Sequence, residues 1–139
     1  MKQFFLALAV STILFLGRAD SQIVVIVNKS VPVHALQSRS ILDIYSLNTK
    51  EWPDGSPVVA ITLKGSESTA QDFFSSLGTR LLDMKKLWMR MLLLGEEQVP
   101  LAMNSEDDVV AKVASTPGAI GFVRKAKADP SVRIVATVE

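Results

Sequence analysis

The sequence predicts an α/β domain, a mostly parallel sheet flanked by helices, from three observations. Ile23–Val27 (IVVIV), residues 58–62 (VVAIT) and residues 119–123 (AIGFV) are continuous apolar runs, the pattern of strands buried on both faces. The stretches between them repeat apolar residues at helical spacing, and strands alternating with helices build a layered α/β fold. The 139 residues suffice for one core and fall short of two ordinary domains.

Taken in order, the chain opens with Lys2 and an apolar run over 4–16 (FFLALAVSTILFL). Thirteen residues rise only about 20 Å as a helix, short of the roughly 30 Å hydrocarbon core. Small residues follow at Gly17 and Ala19, or Ala19 and Ser21, as a cleavage site requires. The expectation is a signal peptide over 1–19 and a single domain over 20–139. Cleavage removes Lys2 and Arg18, leaving 13 basic residues against 14 acidic ones, a net charge of −1.

The run at 23–27 is the first strand. Ile41, Ile44 and Tyr45 recur at helical spacing behind Ser38 and Ser40. Trp52, Pro53, Asp54 and Gly55 carry turn chemistry at each position and lead into the strand at 58–62. Ala70, Phe73, Phe74 and Leu77 stand at i, i+3, i+4 and i+7, one face of a helix. After Gly78, Met84, Leu87, Trp88 and Met91 share a stripe over 81–94, and Gly95 ends it. Ser105 with Asp108 forms a capping box, and Glu106, Asp107 and Asp108 place acids in the first turn. Thr116, Pro117 and Gly118 stop that helix before the strand at 119–123. Val132, Ile134, Ala136 and Val138 alternate, which predicts a half-buried edge strand.

The composition excludes several chemistries. There is no cysteine and His34 is the only histidine, so Cys/His zinc sites and cysteine nucleophiles are impossible. No Gly-x-Ser-x-Gly elbow accompanies His34, and the sequence predicts no enzyme and no cofactor. With no cysteine there is neither a disulfide nor a lipid-bearing Cys, and the expected address is periplasmic without a lipid anchor. Scattered basic residues argue against nucleic acid. Met84, Met89 and Met91 are expected to pack their helix on the sheet, and one of Leu92, Leu93 and Leu94 to face a partner or another lobe.

Residues 64–74 (KGSESTAQDFF) place a small-residue loop before a helix. Backbone N–H groups of such a loop hold oxyanions, but Ser68 with Gln71, and Glu67 against the dipole, also describe an ordinary capped helix start. Both readings stand on the residues alone.

In order, VNKS, LQSRSILDIYSLNTKEWPDG, ITLKGSESTAQDFFSSL, a helix carrying Trp88, and VVAKVASTPGAIGFV resemble the second lobe of phosphate ABC transporter substrate-binding proteins. That family belongs to the type 2 periplasmic binding proteins, and the resemblance runs over residues 23–139. It implies one lobe of a two-lobed clamshell that closes on phosphate, like short single-domain relatives. In the family, an Arg followed four residues later by Ser-Gly-Thr contacts the anion. Here Thr69 matches, Ser68 replaces the Gly, Glu67 the Ser and Leu63 the Arg, with Lys64 one residue along. The resemblance therefore implies Lys64, Ser66, Ser68 and Thr69 as ligand residues for phosphate or a similar oxyanion. Its partner would be a membrane transporter, porin or sensor, or a second copy that restores the cleft. The alternative function is a non-catalytic periplasmic interaction or sensory accessory module that has lost ligand binding.

Overall fold

The computed structural model describes residues 22–65 and 68–138. The expected signal peptide at 1–19, and Ser66 and Glu67 of the small-residue loop, lie outside the described residues. The elements follow as β1 (Ile23–Val27), α1 (Ser38–Tyr45), β2 (Val59–Leu63), α2 (Ser68–Ser76) and α3 (Leu81–Leu93). Then come β3 (Leu101–Met103), α4 (Glu106–Ser115), β4 (Ala119–Arg124) and β5 (Arg133–Val138).

The five strands form one sheet in the order β3-β2-β4-β1-β5. β2 is parallel to β3 and to β4, whereas β1 is antiparallel to both β4 and β5. Four strands thus point one way and β1 alone runs against them. β1 lies between two neighbours with α4 packed on it, and all five of its residues are buried. The expected β-branched run is the consequence.

Successive residues of a strand face opposite sides, and β4 shows what each side holds. Gly121 faces α4, where a Cβ would lie 2.8 Å from Val109 Cγ1 and 3.1 Å from Val113 Cγ2. Phe122 faces the other layer and stacks on Phe73 of α2 with ring centroids 3.9 Å apart. Tyr45 and Phe74 meet Phe122 edge-on, a favoured aromatic geometry. Burial of Tyr45 and Trp88 costs no hydrogen bond. The Tyr45 hydroxyl donates to the Ile61 carbonyl at 2.8 Å, and Trp88 Nε1 of α3 donates to the Tyr45 carbonyl at 2.8 Å. α1, α2 and α3 therefore share one face, and α4 covers the other.

Asn28, just past β1, closes the far end of α4. Its Nδ2 donates to the carbonyls of Val113 at 2.7 Å and Ala114 at 3.0 Å, in the last turn, where a helix runs short of its own N–H partners; the Val113 carbonyl also accepts the Thr116 N–H at 3.5 Å. The near end carries the expected cap, with Ser105 Oγ accepting the Asp108 N–H at 3.1 Å.

Three details differ from the sequence expectation. β3 is only three residues long, too short for a periodic signal. β5 is an edge strand, but its register against β1 shifts between Val25 and Ile26. The extra residue of this bulge places Val135 inside and leaves Ile134 44% exposed, breaking the expected alternation. On α3, Leu81, Met84 and Trp88 are buried, while Met89, Leu92 and Leu93, and Leu94 at the C-cap, are exposed.

Candidate functional site

Because β3, β2 and β4 are parallel neighbours, their carboxyl ends lie side by side. α2 follows the end of β2, and α4 follows the end of β3. Both helices thus present N-termini, the positive ends of their dipoles, on the edge where open α/β sheets place ligands. The Lys64 N–H donates to the Met103 carbonyl at 2.8 Å, which extends the β2–β3 pairing by one step. Gly65 then turns the chain with φ +74°, a left-handed conformation that glycine adopts without steric cost. Its carbonyl accepts a hydrogen bond from Lys85 Nζ of α3.

Thr69, in the first turn of α2, is buried at 3% exposure. Its Oγ1 accepts a hydrogen bond from Arg124 Nε at 3.2 Å and donates to Glu106 Oε2 at 3.4 Å. The other carboxylate oxygen of Glu106 accepts the backbone N–H of Arg124 at 2.5 Å. Arg124 also pairs through Nη2 with Asp72 Oδ2 at 2.7 Å, one turn further along α2. One guanidinium, one buried hydroxyl and two carboxylates thus join α2, α4 and the end of β4.

The expected ligand residues fare differently. Thr69 lies at the centre of this network. Lys64 is exposed at the rim, Ser68 is exposed at the start of α2, and Ser66 is outside the described residues. Leu63, where the resemblance put the family's Arg, is buried at 1% exposure and belongs to the core. Arg124 brings a guanidinium to Thr69 from a different strand. Sequence reasoning missed Arg124, Glu106 and Asp72. The available signal was a charged residue at the carboxyl end of a buried run, AIGFVR. By sequence Glu106 is only a dipole complement, a role it keeps as the first residue of α4.

His34 is exposed in the loop between β1 and α1. Among the described residues, no group of three or more His, Asp or Glu side chains gathers to hold a metal ion. No helix among them is long and apolar enough to cross a membrane.

No protein-family model matches this sequence, and no curated protein matches it. Solved structures do resemble its fold. An ABC-type phosphate transport receptor from Vibrio cholerae superposes with TM-score 0.66 at 20% identity, over 82% of this chain and 45% of its own. A phosphate ABC transporter substrate-binding protein from Clostridium perfringens, with phosphate bound, gives 0.68 at 20% identity, over 82% of this chain and 44% of its own. PstS from Borrelia burgdorferi gives 0.57 at 15% identity, over 83% and 46%. The chain spans less than half the length of the structures it matches. Its fold is that of one lobe of a phosphate-transport substrate-binding protein.

Proposed function

We propose that this chain is an exported, non-catalytic solute-binding lobe that takes phosphate or a related oxyanion weakly at the carboxyl edge of β2 and β4. The observation that carries this reading is the buried Thr69 hydroxyl, reached by the Arg124 guanidinium at 3.2 Å at the N-terminus of α2. A cation, a hydroxyl and a helix N-terminus are the groups that recognise phosphate. Lys64 adds a point charge at the rim, and Ser66 and Ser68 add hydroxyls from the loop. The phosphate-bound neighbour of the same fold supports the choice of anion. A single lobe cannot exclude water as a closed clamshell does, so its affinity is low unless a second copy or a membrane transporter covers the edge. A periplasmic address follows from the expected signal peptide at 1–19.

A thermal melt of the purified protein with inorganic phosphate, and with sulfate as control, tests this reading. At ten times its dissociation constant a ligand adds about 1.4 kcal/mol, which raises the midpoint of a chain this size by roughly 4–7 °C. Lys64→Ala with Thr69→Ala is expected to abolish the rise. No rise up to high millimolar phosphate sinks the proposal.

A second reading is favoured by two observations. Glu106 and Asp72 already engage Thr69 and Arg124, and Leu92, Leu93 and Leu94 are all exposed at the end of α3. In that reading the lobe is a periplasmic interaction or sensory module without a ligand. Crosslinking in the periplasm that recovers a partner through Leu93, together with a flat phosphate response, selects it.

A further inference from the structure

We propose that the Glu106 carboxylate is the intramolecular occupant of the oxyanion cradle, so that an external oxyanion binds by displacing it. The inference rests on reading this edge as an oxyanion site, and it names the residue that limits its affinity. A carboxylate and a phosphate need the same partners, and Glu106 takes them from two elements at once. One oxygen accepts the Arg124 N–H at the end of β4, and the other accepts the Thr69 hydroxyl on α2.

Glu106 is the first residue of α4, and Ser105 caps that helix at the Asp108 N–H. The carboxylate is therefore held at the cradle by a fixed backbone. A tethered group competes at an effective concentration of millimolar or more, which a free anion must exceed. An arriving phosphate also meets the negative charges of Glu106 and of Asp72, which lies 2.7 Å from the Arg124 guanidinium. The main cation of the site is thus already neutralised. Asp107, the next residue, points elsewhere and pairs with Lys127 at 3.3 Å. Only Glu106 among the three acids of that first turn is seated on Thr69 and Arg124.

Calorimetric titration of inorganic phosphate into the wild-type protein, Glu106→Gln and Asp107→Asn separates the cases. The amide of Gln keeps an acceptor for the Arg124 N–H and removes the charge. The expectation is at least tenfold tighter binding for Glu106→Gln and a change within twofold for Asp107→Asn. Wild-type binding that Glu106→Gln leaves unchanged or weakens overturns this inference and leaves the proposed function standing. Binding by Glu106→Gln alone supports the inference and removes the wild-type protein as a phosphate binder. No binding by either removes both, and an equal gain in Asp107→Asn overturns the inference as a bulk charge effect. Should Glu106→Gln fail to fold, the wild-type Arg124 amide resonance is the readout. It is expected to shift progressively with added phosphate as Glu106 leaves it, and a resonance that stays fixed overturns the displacement.

Discussion

The indole N–H of Trp52 donates to the Gly118 carbonyl at 2.9 Å, tying the turn before β2 to the residue that precedes β4. The same glycine has φ +79°, and a Cβ there would lie 2.3 Å from the Pro57 carbonyl oxygen. Its N–H donates to Ser30 Oγ at 3.1 Å, so the backbone is held from three sides and cannot retreat. Gly118→Ala combines left-handed strain of about 1–2 kcal/mol with a backbone clash. We expect a loss of about 2–4 kcal/mol, read as a lower urea midpoint with an unchanged slope. A loss below 1 kcal/mol would show that the two strand approaches are not locked here.

Thr62 offers the opposite case. It is 2% exposed on β2, and its hydroxyl has no hydrogen-bond partner among the described residues. A buried unpaired hydroxyl costs free energy that an apolar group of the same shape does not. Thr62→Val is therefore expected to stabilise the fold by up to about 1 kcal/mol in chemical denaturation. A destabilisation of that size would mean that the hydroxyl has an ordered water partner.

Tyr45 governs the alkaline limit. Complete burial raises its phenol well above the ordinary value near 10, because the phenolate would lose its hydration. The native state keeps this proton at pH values where the unfolded chain begins to release it. Stability is thus fully present below about pH 10 and falls as pH rises above it. Tyr45→Phe is expected to flatten the fall between pH 10 and 11, while lowering stability at pH 7 by about 1–3 kcal/mol because the Ile61 carbonyl is left unpaired. Equal alkaline slopes in the two proteins would assign the fall to other groups.

These residues also show which parts of the molecule can be read from sequence. Ile23–Val27 and the run into β4 were visible because both strands are buried on two faces, which removes polar residues from every position. α2 and α4 were visible because each turns a periodic apolar stripe to the sheet. β5 defeated the same logic at Val135, where one bulge residue reverses the inward set, and nothing in the residue types marks a bulge. The site was only half visible. Thr69 sits beside a local pattern that names it, whereas Arg124 and Glu106 lie 55 and 37 residues away from it in sequence. Their meeting is fixed by strand order, which no local spacing encodes.

The Arg124–Asp72 ion pair and the Arg124–Thr69–Glu106 contacts share one side chain but differ in solvent access. The Asp72 side chain is 59% exposed and that of Arg124 21%, while Thr69 is buried. An exposed pair contributes about 0.2–1 kcal/mol, so Asp72→Asn should lower stability by no more than that. Arg124→Gln also removes the Nε donor facing the buried hydroxyl, and a loss of about 1–3 kcal/mol is expected. A double-mutant cycle should return an Arg124–Asp72 coupling below 1 kcal/mol that vanishes in 1 M NaCl, where the screening length is about 3 Å. The remaining cost of Arg124→Gln should persist in salt, because the Thr69 contact is shielded from ions. If high salt removed the whole cost instead, Arg124 would act only as a surface charge, and the link between β4 and α2 would rest on the core aromatics and on Glu106, which bridges the Arg124 backbone N–H to Thr69.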